Sequence, residues 1–380
     1  MRILVLSAYD AASHRAWRKG LVACFPEHQW TELALPARYF SWRIRGNSLS
    51  WAFSEREVLS QPYDLVVATS MVDLTSLRGF VPSLGQIPTL VYFHENQFAY
   101  PESGREFRSV EPQLLNIYNA LCGDRLVFNS RFNRETLLEG ARKLLAKLPD
   151  QVPPGLIEQI EARSSVVPVP LPDSAFDKPA IENETWPQRS GCPAADDPIR
   201  IVWAARWEFD KGPDRLLAIL RALESRGTDF RLCILGERFR NSPKEFDTIA
   251  REFSHRLDQC GYAESREAYL SWLSGGDIFL STATHEFQGL SVLEAVAQGC
   301  IPALPARQAY PELFSEEYLY RDCGEDIDRE AGLAADLIQS QAEALKNGAL
   351  EAPPVAGFSW SALKPLYAEL FSALTAMGAE

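Results

Sequence analysis

Short apolar runs recur along the chain with helical or turn-rich sequence between them, and that rhythm sets the expected fold. In the first half the runs are Ile3–Leu6, Leu65–Ala68, Leu90–Phe93, Leu126–Asn129 and Ser165–Val169. Their spacing is the βα alternation of a parallel sheet covered on both faces. Residues 177–198 lack periodicity and are rich in Pro and polar side chains, so they read as a linker. The rhythm restarts with Ile199–Ala204, Arg231–Leu235 and Asp277–Ser281, interleaved with helical stretches at Asp214–Ser225 and Leu290–Gln298. Residues 358–380 are amphipathic near helical spacing and read as a final helix that packs back on the first domain. The expected fold is α/β: a Rossmann-like domain over 1–176 and a second over 199–357, with ligands in a cleft between the carboxyl ends of their sheets.

Composition narrows the classes without changing that picture. A 46% hydrophobic, 23% charged chain of 380 residues is globular and long enough for about two domains. No apolar stretch approaches the roughly 18–20 residues that span a bilayer. The opening Met1-Arg-Ile-Leu-Val-Leu6 turns polar at once and reads as a strand rather than a signal peptide. The seven cysteines are scattered, odd in number and free of CxxC, which argues against disulfides and zinc and for a reducing cytoplasm. The net charge of −13 is uneven: residues 1–175 hold 18 basic and 18 acidic side chains, so the deficit lies wholly in 176–380. Several first-half arginines are clustered, among them Arg15 with Arg18 and Arg43 with Arg45. Composition alone allows a polyanion-binding surface as readily as solvated helix faces.

Two segments of the second half carry chemistry. In Thr284-His-Glu-Phe-Gln-Gly-Leu-Ser-Val-Leu-Glu294, Glu286 sits on a strand-to-helix turn and Glu294 eight residues on, inside the helix. Backbone N–H groups around Phe287, Gln288, Gly289 and Leu290 then lie at a helix N-terminus, where phosphate binds, and Gly289 permits close approach. In Trp203-Ala-Ala-Arg-Trp-Glu-Phe-Asp-Lys-Gly-Pro213, Arg206 and Lys211 follow a strand and lead into a helix, so both cations can close on one diphosphate. Stabilising a departing diphosphate is what transfer from a nucleotide sugar requires. In the first half, His94-Glu95-Asn96-Gln97 places four hydrogen-bonding side chains at a strand's carboxyl end. The only Asp-x-Asp, Asp326-Ile-Asp328, is far from these motifs and reads as surface, so neither metal nor cofactor is expected.

These motifs resemble the family 4 glycosyltransferases, retaining enzymes of the two-Rossmann GT-B fold. Within them, Leu90-Val-Tyr-Phe-His-Glu-Asn-Gln-Phe-Ala-Tyr-Pro101, Ser41-Trp-Arg-Ile-Arg45 and Phe128-Asn-Ser-Arg-Phe-Asn133 resemble the tRNA-queuosine α-mannosyltransferases. That resemblance implies transfer of mannose from GDP-mannose to queuosine in the tRNA anticodon loop. It assigns Glu286 to the donor sugar hydroxyls, Glu294 to the nucleotide ribose, and Arg206 and Lys211 to the diphosphate. His94 and Glu95 fall beside the transferred sugar and the acceptor. Ser13 and His14 offer further donor contacts. Arg43, Arg45, Asn96, Gln97, Asn129 and Arg131 are assigned to the tRNA. Many relatives carry paired glycines after the first strand; here Ala11-Ala12 stands in that place, which disfavours close backbone approach there. The alternatives are a lipid, glycan or small-metabolite acceptor, or a non-catalytic tRNA- or nucleotide-binding protein.

Overall fold

The computed structural model describes every residue except 101–108, 149–150, 180–184, 190, 240 and 378–380. It divides into two compact units, one of residues up to Pro170 together with the segment from Trp360 on, the other of Leu171–Ser359.

The first unit holds β1 (Arg2–Asp10), β2 (Gln29–Pro36), β3 (Leu65–Thr69), β4 (Thr89–Phe93), β5 (Arg125–Phe128) and β6 (Ser164–Val166). All pair in parallel, in the order β2-β1-β3-β4-β5-β6. Every residue of β3 and β4 is buried, as expected of strands with helices on both faces. The run of Leu126–Asn129 ends one residue sooner because Ser130 caps the next helix, its Oγ accepting from the Asn133 N–H at 3.0 Å. The final helix, Trp360–Met377, belongs to this unit. Its Trp360 indole lies against Gly20 in α1 (Ala12–Cys24), where a Cβ would fall inside the ring. Its Tyr367 hydroxyl accepts from Trp17 Nε1 at 3.0 Å.

The second unit repeats the plan with β7 (Ile199–Ala204), β8 (Phe230–Leu235), β9 (Leu257–Gly261), β10 (Ile278–Leu280), β11 (Ile301–Pro305) and β12 (Leu319–Tyr320). The parallel order is β12-β11-β10-β7-β8-β9. Two doubly wound parallel sheets match the expected fold class. The described part of 177–198 is not a free linker. Trp186 meets Trp272 edge-on at 5.2 Å and donates to Asp258 at 2.9 Å, and Arg189 Nε lies 2.9 Å from Asp277. Its aromatic and charged side chains dock it on the second unit, although its backbone has no regular period. Among the described residues no helix is long and apolar enough to cross a membrane.

Candidate active site

In the second unit the loops after β7 and β10 meet at one ion pair. Lys211 Nζ lies 3.2 Å from Glu286 Oε2 and 3.4 Å from Asp210 Oδ2, and donates to the His285 carbonyl at 3.1 Å. Burial works to lower the Lys211 pKa, but the Glu286 and Asp210 carboxylates outweigh it, and the amine is held above its ordinary value. Burial likewise works to raise Glu286. The Lys211 charge and a hydrogen bond from the Gly289 N–H prevail, and its carboxyl sits below the usual range. Both groups are therefore charged at neutral pH, a cation and an anion side by side in a part-buried pocket that Trp203, Ser281, Ser291 and Tyr310 also line.

The backbone around this pair is fixed by close contacts. Gly212 has φ +64°, and a Cβ there would strike the Thr282 carbonyl. Thr282 Oγ1 accepts from Trp203 Nε1 at 2.9 Å and donates to the Lys211 carbonyl at 2.8 Å, tying the two loops together. Gln308, in the left-handed region at φ 57°, accepts from the Glu286 N–H and donates to the Thr284 carbonyl. No motif announces Gln308, because it acts from a separate turn beyond β11. Gly289 caps the helix Leu290–Ala297 at φ +80°, and a Cβ there would lie 2.8 Å from Tyr310 Cε1. Gly289→Ala is accordingly expected to destabilise the unit by about 1–2 kcal/mol, read as a lower urea midpoint at unchanged slope.

The other donor-side expectations divide. Arg206 is half exposed, with Nη1 2.9 Å from Glu208 Oε2, and its charge reaches Lys211. Glu294 is held by Arg266 at 2.5 Å and by the Tyr269 hydroxyl at 3.0 Å. A carboxylate accepts more than two hydrogen bonds, so Glu294 keeps acceptor capacity beyond these two partners. Phe287 and Gln288 are buried, Phe287 edge-on to His285 at 4.6 Å, so their side chains form the floor of the turn. Leu290 and Ser291 are partly exposed in the first helical turn, where N–H groups have no partner one turn back.

In the first unit, His94 follows β4 into a nest of aromatic rings. Its centroid lies 4.1 Å from His14, 4.7 Å from Tyr92 and 4.9 Å from Trp17. Burial first, and then the neighbouring His14, hold the His94 pKa well below its ordinary 6.5, so the ring is neutral. Among the described residues, neither ring nitrogen of His14 nor Nε2 of His94 has a hydrogen-bond partner, though His14 Nε2 is 3.4 Å from Glu95 Oε1. Buried polar atoms of this kind are normally satisfied, so these nitrogens keep hydrogen-bonding capacity that the described residues do not use. Ser13 is exposed on α1. Ala11 is extended at φ −63° and ψ 169°, a conformation that suits alanine as well as glycine.

Several acceptor-side expectations need correction. Asn96 is fully buried: its Nδ2 donates to Asn133 Oδ1 at 2.9 Å and Thr136 Oγ1 at 2.8 Å, while its Oδ1 accepts from the Phe98 and Ala99 N–H groups. Asn129 is buried too, donating to the His94 carbonyl at 2.8 Å and accepting from Asn133 Nδ2 at 2.8 Å. These asparagines hold the His94 loop against the helix Arg131–Lys147 and leave no edge for a base. Gln97 is partly buried, its N–H on Asn116 Oδ1 at 2.7 Å. Arg131 is exposed. Arg43 is only 8% exposed, and Arg45 is shared between Asp73 at 3.1 Å and Glu111 at 2.6 Å. Arg18, likewise buried, is paired with Asp10 and Glu32. Part of the clustered positive charge, that of Arg18 and Arg45, is thus shared with carboxylates of the same unit, and Arg43 is buried, so the clusters present less charge than their sequence suggests.

Comparison with known proteins follows the same division. Residues 2–171 match the family model described as tRNA-queuosine alpha-mannosyltransferase N-terminal, and residues 184–348 match the model for glycosyl transferases group 1. The chain is 32% identical over 318 residues to a Drosophila melanogaster protein named tRNA-queuosine alpha-mannosyltransferase, covering 84% of this chain and 83% of that one. It is 28% identical over 138 residues to a GDP-mannose:cellobiosyl-diphosphopolyprenol alpha-mannosyltransferase of Xanthomonas oryzae, 36% of each chain. Among solved structures, a glycosyltransferase from Rickettsia africae superposes with TM-score 0.63 at 15% identity over 98% of both chains. Anabaena Alr3699/HepE in complex with UDP-glucose gives 0.63 at 12% identity, over 98% of this chain and 100% of that one. At those identities the likeness carries the fold alone, a GT-B-like glycosyltransferase fold.

Proposed function

The chain belongs to the tRNA-queuosine alpha-mannosyltransferase family, and on that premise we propose that it transfers mannose from GDP-mannose to the cyclopentenediol of queuosine in a tRNA anticodon loop, with retention at the anomeric carbon. The observation that supports the reading most is the Lys211–Glu286 pair at the turn before Leu290–Ala297. It sets a fixed cation and a helix N-terminus where a diphosphate is neutralised, and a carboxylate where sugar hydroxyls are held. Charge develops on the β-phosphate as the glycosidic bond breaks. Lys211, Arg206 and the first-turn amides stabilise that charge without reorganising, and such preorganised donors are a large part of transfer catalysis. The departing phosphate then takes the acceptor hydroxyl's proton on the face it leaves. Glu286 orients the sugar, and Glu294 binds the ribose. His94, neutral and with an Nε2 that no described residue bonds, offers a hydrogen bond to a hydroxyl rather than a charge to a phosphate.

The test is incubation with radiolabelled GDP-mannose and total tRNA from queuosine-replete and queuosine-deficient cells. Label is expected only in the replete tRNA. Equal labelling of both, or transfer to a lipid, glycan or small metabolite instead, overturns the acceptor assignment.

A further inference from the structure

The segment that opens α2 (Phe40–Ser54) buries Arg43 and turns two large aromatic residues outward. Arg43 is buried and Arg45 is tied to Asp73 and Glu111, whereas Tyr39 is 73% exposed and Trp42 54% exposed. Two large rings exposed to water within one turn of each other, beside a buried arginine, depart from the usual surface pattern. Two further features show that these rings are held in place. Trp42 lies flat over Gly46, where a Cβ would fall inside the indole. A glycine in mid-helix costs about 1 kcal/mol relative to alanine, and here it seats the ring with its other face outward. Tyr39 is the N-cap of α2 in the left-handed region at φ 55°, a strained conformation for a residue with a Cβ. Its carbonyl accepts from the Trp42 and Arg43 N–H groups at 2.9 Å, which locks it at the helix start. The Arg38 guanidinium lies 5.7 Å from the Tyr39 ring centroid, and Phe40 is anchored edge-on against Tyr9 at 5.8 Å.

We infer that Tyr39 and Trp42, with Arg38, form a stacking platform for the unpaired bases beside the modified nucleotide of the acceptor RNA; the identity of that RNA rests on the function proposed above. Splayed single-stranded bases are recognised chiefly by stacking on aromatic rings and guanidinium planes. The topology puts the platform at a useful place. α2 follows β2 and the His94 loop follows β4, and in a parallel sheet both emerge at the carboxyl edge. β2 and β4 are three strand spacings apart, about 14 Å, a span suited to a short unpaired RNA segment with one nucleotide at His94 and its neighbours on the rings. The platform also adds a contribution that does not depend on charge to RNA binding by a half with as many acidic as basic residues.

The experiment measures binding of the full chain to anticodon stem–loop RNA, both unmodified and carrying queuosine, across a salt series. Stacking does not require the modification, so the platform is tested even if the transfer assay fails. Trp42→Ala and Tyr39→Ala are expected to raise Kd about 5- to 100-fold each, the range for losing one base–aromatic stack. The slope of log Kd against log salt stays the same, because no phosphate contact is lost. Trp42→Phe recovers most of the loss, and Gly46→Ala, which lifts the indole, reproduces part of it. Tyr39→Gly separates this role from a structural one: it relieves the left-handed strain, so Tm holds or rises while RNA binding still weakens. GDP-mannose affinity is expected to be unchanged throughout. Kd within twofold of the parent for both alanine variants overturns the platform. So does loss of self-association by sedimentation in place of RNA binding, which makes this face a contact between copies of the chain.

Discussion

Glu286→Ala is expected to lower mannosyl turnover by about 10²–10³ with little loss of fold, the effect of removing one preorganised polar group from a transition state. The fold survives because Lys211 keeps a second carboxylate, Asp210, at 3.4 Å and the His285 carbonyl at 3.1 Å. Lys211→Ala is different. It removes the cation from between two carboxylates and leaves Glu286 and Asp210 part-buried against each other, a change of the kind that costs about 3–5 kcal/mol. That variant should lose both turnover and several degrees of Tm. The pH dependence follows from the same pair. Glu286 is more acidic folded than unfolded, so its contribution to stability is complete above its unfolded value of 4.5 and is lost as pH falls through the lower folded value. Lys211 is more basic folded than unfolded, so its contribution is complete below 10.5 and is lost as pH rises through the higher folded value. Between those limits the pair stays intact, and turnover near neutral pH should show no titration from it. Wild-type turnover in a folded Glu286→Ala protein overturns the donor-side assignment.

Most of the strands that sequence periodicity makes legible are buried on both faces, the half-buried edge strand β6 apart, and the ones it misses are missed for physical reasons. β2 is an outer strand whose residues are alternately exposed and half-buried, and β9 is its counterpart at the edge of the second sheet. Neither is a continuous apolar run. β11 reads Ile-Pro-Ala-Leu-Pro, and two prolines argue against a strand between two others. It pairs nonetheless because Ile301 donates to the Asp277 carbonyl, which turns Pro302 away from β10, toward the side where the ladder with β12 begins only at Leu304. At the site, local motifs place Lys211 and Glu286 each on its own loop. Their pairing is a contact across 75 residues that no local pattern encodes. Gln308, Arg266 and Tyr269 leave no trace for the same reason, since each acts through a side chain arriving from another βα unit. The arginine clusters mislead most. Sequence counts charge, but Asp10, Asp73 and Glu111 decide how much of it remains for a ligand.

His94→Leu is expected to lower turnover by about 10²-fold, the cost of losing one orienting contact, and to change how stability responds to acid. The imidazole is buried and held neutral, so its folded pKa lies well below 6.5 while the unfolded chain protonates near that value. As pH falls below 6.5 the unfolded state binds a proton that the folded state refuses, and stability falls by up to about 1.4 kcal/mol per pH unit until the folded pKa is passed. Above 6.5 both states are neutral and the contribution is flat. The leucine variant lacks this group, so between pH 6.5 and 5.5 its urea-unfolding free energy should decline less than the wild type's by about 1 kcal/mol, the unfolded imidazole being half protonated at the start of that interval. Making both proteins in a His14→Gln background keeps the titration of His14, whose ring centroid lies 4.1 Å away, out of the difference. A Tyr367→Phe variant is a useful companion. It loosens Trp17, which packs edge-on against His94, without touching the imidazole, and should therefore lower turnover while keeping the acid slope. Identical acid slopes in wild type and His94→Leu overturn the neutral, buried assignment, and with it the idea that this ring meets a hydroxyl rather than a phosphate.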